Sequence, residues 1–190
     1  MSENARASRI NLWLIGVLCA APVVAAYVAY YFAPPAAHTN HGELLAMGPL
    51  PDARLELADG TPFALSRLRG KWVLLMVDSG GCDEFCRRKL FSLRQLRLTQ
   101  GKDMERIERA WLISDDVAPA AALAADFPGT WLISASGSEL LRQLPAARAS
   151  SDHIYVVDPL GNPVLRYARD ADPGGIIKDL ARLLKASRIG

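Results

Sequence analysis

Cysteine is scarce, with three residues in 190, too few to staple a small secreted fold through a disulfide framework. An excess of charge of one sign is also missing. Twenty-two basic and twenty acidic residues leave a net charge of +2, which gives no electrostatic footprint for a nucleic-acid partner. No glycine-rich loop has the spacing that cradles phosphate. Trp-Leu-Ile-Ser stands at 111–114 and again at 131–134, but two copies do not make a solenoid. With 51% apolar and 22% charged residues, the chain is not the polar, charge-biased kind that stays disordered. No Lys or Arg occurs between Arg9 and Arg54.

The apolar content is concentrated in residues 10–33, where no charge occurs and only Asn11, Gly16 and Pro22 fall outside the apolar set. As a helix this run reaches about 36 Å, enough for a hydrocarbon core of roughly 30 Å. The apolar region of a cleaved secretory signal is shorter, about 7–15 residues. Trp13 at one end and Tyr27, Tyr30, Tyr31 and Phe32 at the other resemble interfacial belts. The expectation is one transmembrane helix over 10–33, with Pro22 tolerated as a kink. Arg6 and Arg9 on its N-terminal side put residues 1–9 in the cytoplasm by the positive-inside rule. The C-terminal part is then periplasmic in a bacterial inner membrane, an oxidising location. Cys19 falls in mid-span, where burial suppresses thiolate chemistry and packing is its expected role.

Residues 34–48 are rich in Pro, Ala and polar side chains and read as a linker. His38 and His41 sit in it without the convergent partners that a metal ligand needs. Residues 49–190 have the length of a single domain. Asp59-Gly60 is a hairpin turn between short strands at 55–57 and 62–65. The near-continuous apolar run 72–77 predicts a central strand covered on both faces. A helix follows with Leu90, Leu93 and Leu96 on one face. Further strands are expected at 107–113, 131–133, 154–157 and 163–167. Helices are expected at 119–127, 138–144 and 176–184. Helices alternating with strands imply an α/β fold with a mostly parallel sheet, and a closing hairpin makes that sheet mixed. This order is that of a thioredoxin-like sandwich, here preceded by a transmembrane helix.

Cys82 and Cys86 stand where the first long strand gives way to a helix. Residues at i and i+4 share a helix face, so the two sulfurs converge. The helix N-terminus favours thiolate, and Arg87, Arg88 and Lys89 add positive potential, partly offset by Asp83 and Glu84. Such a pair chelates a soft ion, Cu(I) above all, or closes a disulfide. No nucleotide or organic cofactor is indicated. The basic run Arg87, Arg88, Lys89, Arg94, Arg97 and Lys102 reads as a solvated helix face, with docking to an acidic surface as its alternative. Asp115-Asp116 and Asp170/Asp172 read as loop and cap residues.

The stretch from Leu68 through the Gly-Gly-Cys82-Asp-Glu-Phe-Cys86 motif resembles the Sco/SenC family of cytochrome c oxidase copper-assembly proteins. The resemblance continues through Trp111-Leu-Ile-Ser-Asp-Asp116, Phe127-Pro-Gly-Thr-Trp131 and Asp152-His153-Ile-Tyr-Val-Val-Asp158-Pro-Leu-Gly161. It implies a tethered thioredoxin fold, a Cys-x-x-x-Cys copper site completed by a distant histidine, and an oxidase subunit or another respiratory assembly factor as partner. Three departures stand against the family pattern. Arg87 replaces the proline after the second cysteine. The family histidine position falls near Ser150, whereas His153 is two residues before Tyr155. Ser151-Asp152 stand where thioredoxin-type reductases carry a cis-proline. His153 is thus the third ligand of a Cys₂His copper site, a histidine at a strand entrance or an acid–base group. Three functions stay open: copper handling for oxidase assembly, a membrane-tethered thiol-disulfide oxidoreductase acting on apocytochrome or other periplasmic thiols, and a non-catalytic scaffold. In the second, Cys82 attacks and Cys86 resolves.

Overall fold

The computed structural model describes residues 3–32, 40–46, 48–146, 148–187 and 189. It divides into two compact units, one up to Thr39 and one from Asn40 onward. His38 and most of the expected linker lie outside the described residues.

The first unit is helix α1, Glu3–Phe32, with Pro22 inside it. Trp13, Leu18, Tyr27 and Tyr31 are among its exposed large side chains, and Tyr27 stacks on Tyr31 one turn later. Cys19 is free and exposed on this helix. Among the described residues, no helix is long and apolar enough to cross a membrane.

The second unit is built on an eight-stranded mixed sheet. Its strands are β1 (Glu43–Leu44), β2 (Arg54–Leu57), β3 (Pro62–Ala64), β4 (Trp72–Asp78), β5 (Ile107–Ile113), β6 (Thr130–Ser134), β7 (Ile154–Val157) and β8 (Pro163–Tyr167). They lie in the order β1-β8-β7-β4-β5-β6-β2-β3. β4, β5 and β6 are parallel, and β7 runs antiparallel beside β4. The helices are α2 (Glu84–Leu98), α3 (Ala121–Asp126), α4 (Glu139–Gln143) and α5 (Pro173–Ala186).

The apolar run of β4 is explained by cover on both sides. Trp72, Leu74 and Met76 join Ile107 and Trp111 beneath Leu90, Leu93 and Leu96 of α2 and Ile176, Leu180 and Leu184 of α5. Val73, Leu75 and Val77 face the other way, under Leu50, Leu55, Phe63, Leu68 and Leu140. Alternation therefore disappears from the sequence although it is strict in the structure. Asp172 caps α5 by accepting from the Gly174 and Gly175 amides, the cap role expected of it.

Two expectations need correction. The helix expected from Pro119 begins only at Ala121, because the Asp115 carboxylate takes the Gly80 and Val117 amides and keeps the preceding segment in a loop. Within the segment read as linker, Glu43 and Leu44 pair with Arg166 and Leu165 of β8. The pairing covers a strand edge that would otherwise be open, and Glu43 adds an ion pair to Arg166.

Candidate functional site: a disulfide at the mouth of α2

The C-terminal end of β4 lies between a parallel and an antiparallel neighbour, where open α/β sheets place their reactive groups. Ser79-Gly80-Gly81 leads from it into the cysteine motif. The Gly81 amide donates to Ser79 Oγ at 3.0 Å, and the Cys82 amide to the Ser79 carbonyl at 3.1 Å. Asp83 then caps α2, accepting from the Cys86 amide at 2.9 Å. The sequence thus folds into a tight turn that delivers both cysteines to one helix mouth.

Cys82 and Cys86 are joined in a disulfide, with Cα atoms 5.1 Å apart. The convergence expected from their spacing is present. Both are buried, Cys82 at 3% exposure and Cys86 at 0%, so the expected outer position of Cys82 holds only as a small difference. Cys82 has φ of +40°, the single left-handed non-glycine among the described residues. That conformation costs on the order of 1–3 kcal/mol and is a usual mark of a functional turn.

The turn is anchored from the neighbouring loop. Gly80 donates to Asp115 Oδ1 at 2.9 Å. Asp115 is held below the ordinary carboxylate range, first by a hydrogen bond from the Ser79 side chain and then by the Gly80 amide. A depressed carboxylate contributes stability that is present above its unfolded pKa and lost as pH falls through the folded value. The Gly80 amide resonance is therefore expected to titrate with a midpoint below the ordinary aspartate value of 3.8. A midpoint at or above it would mean that the tether does not form in solution.

His153 follows a short 3₁₀ turn at Ser150–Asp152 and is buried. Its Nδ1 lies 3.3 Å from the Tyr167 carbonyl. A carbonyl only accepts, so Nδ1 is the donor in this contact, which leaves Nε2 of a neutral ring as the nitrogen that could take a metal. The β4–β7 register pairs Met76 with Ile154 and so brings His153 to the level of Val77. The structure does not bring His153 together with the cysteines as a ligand set. Among the described residues, no group of three or more His, Cys, Asp or Glu is placed to hold a metal ion.

The basic run of α2 is not uniformly solvated. Arg87, Arg88 and Arg94 are exposed, but Lys89 is 4% exposed and turned inward. Its ammonium donates to the Val77 carbonyl at 2.7 Å and the Ser151 carbonyl at 2.5 Å. It also pairs with Asp78 Oδ2 at 2.7 Å. Burial pulls the Lys89 pKa down, and Asp78 acts against that shift. The reading of the run as a solvated face missed this residue. The available signal was its place on the stripe of Cys86, Leu90 and Leu93.

Comparisons with known proteins bear on the fold that carries this site. The family described as transmembrane-like, thioredoxin-like, C-terminal domain matches residues 72–187. No curated protein matches the chain. Among solved structures, copper-bound yeast Sco1 is 21% identical with a TM-score of 0.60, covering 74% of this chain and 92% of that one. Apo Sco1 of Thermus thermophilus is 23% identical with a TM-score of 0.56, covering 80% and 98%. A SCO1/SenC family lipoprotein of Bacillus anthracis is 16% identical with a TM-score of 0.54, covering 71% and 94%. At these identities the likeness to the Sco structures is one of fold. With the family matched from β4 through α5, the chain belongs to the transmembrane-like, thioredoxin-like family, and its sheet is the thioredoxin-like sheet.

Proposed function

We propose that this chain is a membrane-anchored periplasmic protein that assists cytochrome c oxidase assembly through its Cys82–Cys86 pair. The observation that carries this reading is the buried disulfide at the strand-to-helix junction. Reduction of that disulfide would leave two cysteine sulfurs side by side at the mouth of α2, a soft donor set suited to Cu(I) as cargo. His153, whose Nδ1 is engaged by Tyr167, would join them as a third donor through Nε2 only by moving toward the pair. The Sco1 structures of similar fold, one of them with copper bound, support the cargo and, through the family they represent, the oxidase client.

Anchoring through residues 10–33 is part of the proposal. The large apolar side chains of α1 are exposed, and each Å² of such surface left in water costs about 25 cal/mol. A bilayer removes that cost. The positions of Arg6 and Arg9 support a cytoplasmic N-terminus and a periplasmic C-terminal domain.

A second reading is favoured by a separate observation: His153 does not converge with the cysteines. A tethered thiol-disulfide oxidoreductase acting on apocytochrome or other periplasmic thiols needs only the pair. In it Cys82, the outer cysteine, forms the mixed disulfide and Cys86 resolves it.

An anaerobic Cu(I) competition titration on the reduced full chain in detergent separates the two. Copper handling predicts one equivalent, weakened at least 100-fold by Cys82→Ser and measurably by His153→Ala, with unchanged helix content by circular dichroism. No competitive binding overturns it. The reduction potential then decides, since a static structural disulfide lies below about −300 mV and an exchanging one above it.

A further inference from the structure

We propose that Lys89 and Asp78 form a positioning pair that sets the reduction equilibrium of the Cys82–Cys86 disulfide. The inference rests on the reading of that disulfide as redox-active. Cys86 and Lys89 lie three residues apart on the buried stripe of α2, which places their Cβ atoms about 5–6 Å apart. Asp78 ends β4, four residues before Cys82, and its carbonyl accepts from the Ser114 amide and the Trp111 indole. The ammonium–carboxylate pair is therefore fixed from the helix on one side and the strand on the other.

Stability does not account for a lysine here. An ammonium buried in a helix–sheet interface costs several kcal/mol of desolvation, and a well-packed apolar side chain at such a site is often neutral or better. Nor is Lys89 drawn out toward solvent, as a lysine near a surface usually is. Its three protons meet two carbonyls and the Asp78 carboxylate, and it lies 4.9 Å from the centre of the Phe85 ring. Arg169 packs on that ring at 3.8 Å and pairs with Asp152 at 3.9 Å. The charged groups around Lys89 are thus Asp78, Asp83 and Asp152, with Arg88 and Arg169 reaching it through Phe85.

The chemistry that feels this charge is exchange with a client dithiol. A client thiolate attacks Cys82 Sγ, the Cys82–Cys86 bond breaks, and its electron pair leaves on Cys86. The second client thiolate then attacks the client sulfur of the mixed disulfide and releases Cys82. The client is oxidised and this pair is reduced; one client proton ends on Cys82 and the other passes to water, so that Cys86 is held as a thiolate. Negative charge develops on Cys86, one turn from the Lys89 ammonium. Removing the ammonium leaves Asp78 facing that charge, and removing the carboxylate leaves Lys89 unbalanced. The two changes therefore have opposite signs.

The test is equilibration of the full chain in detergent with glutathione buffers. The redox state of Cys82 and Cys86 is read by alkylation and mass spectrometry of their peptide, apart from Cys19. Lys89→Met should lower the equilibrium constant for reduction about tenfold, about 30 mV for a two-electron couple. Asp78→Asn should raise it by a similar factor. The double variant should return to within about threefold of the wild type, a limit that corresponds to about 15 mV by the same conversion. A merely structural role would move both single variants in the same direction, or neither, and either result overturns the proposal. Should Lys89→Met fail to fold, the sign of the Asp78→Asn shift decides. A wild-type disulfide that never equilibrates with glutathione would overturn the redox reading itself, whereas a responsive wild type with unresponsive variants overturns only the role of Lys89.

Discussion

Asp179→Ala should destabilise the second unit by about 3–5 kcal/mol, the range for breaking a buried charged interaction by removing one partner. Asp179 is 1% exposed. Its Oδ2 accepts from the His41 amide at 2.7 Å, the Gly42 amide at 3.0 Å and the Tyr167 hydroxyl at 3.1 Å. Oδ1 faces Arg182 Nη1 at 3.6 Å. Alanine would leave three donors without an acceptor at a site that water does not reach. The contacts also fasten the start of the unit, because Gly42 lies so close to the Tyr167 ring that a Cβ there would meet it at 2.6 Å. Loss of the carboxylate should release residues 41–44 from the sheet edge. A fall in melting temperature of about 10 °C is expected at this size. Asp179→Asn keeps one acceptor oxygen and should cost about 1–2 kcal/mol. Urea unfolding of the two variants checks the ranking, and equal midpoints would show that Oδ2 is not the hub.

The contrast between what the chain shows in sequence and what it hides has a physical basis. β4 and β5 are visible as dense apolar runs because both faces of the sheet are covered. The hairpin is visible because Gly60, with φ of +82°, takes a backbone conformation that glycine favours. The nearness of Cys82 and Cys86 was legible from their spacing, but its means was not: Cys82 stands before the Asp83 cap with φ of +40°, and the Ser79–Cys82 turn brings it to Cys86. What stays hidden depends on distant partners. Lys89 looks like one more surface charge until Val77, Asp78 and Ser151 arrive from other elements. Asp179 looks like a helix surface residue until His41 and Gly42 fold back over 138 and 137 positions. β1 has two residues and no pattern of its own, and it exists because β8 offers an edge. The family resemblance put its histidine near Ser150 and left the role of His153 open, and the contact of His153 with Tyr167 required the β7–β8 pairing.

Gly80→Ala is expected to disturb both the stability of the second unit and the disulfide. A Cβ at Gly80 would lie 1.6 Å from the Val117 carbonyl oxygen and 2.6 Å from its carbon. Both obstacles are backbone, so no side chain can rotate away. Either the Ser79–Cys82 turn or the loop from Ser114 must shift. Gly80 is not in the left-handed region, so the demand on glycine is one of space rather than torsion. Overpacking of this kind costs about 3 kcal/mol. The shift would also stretch the Gly80–Asp115 hydrogen bond that holds the turn, and the buried sulfurs would open to solvent. Reduction by a small phosphine should become at least tenfold faster, alongside a melting temperature lower by about 6–12 °C. Gly81→Ala is the control, since a Cβ there meets only Ser79 Oγ at 3.4 Å, an ordinary contact. Its melting temperature should stay within about 2 °C of wild type, and its reduction rate within about twofold, because a surface change away from such contacts is worth about 0.5 kcal/mol or less. Equal responses from the two variants would mean that the close approach of Gly80 to Val117 does not shield the disulfide.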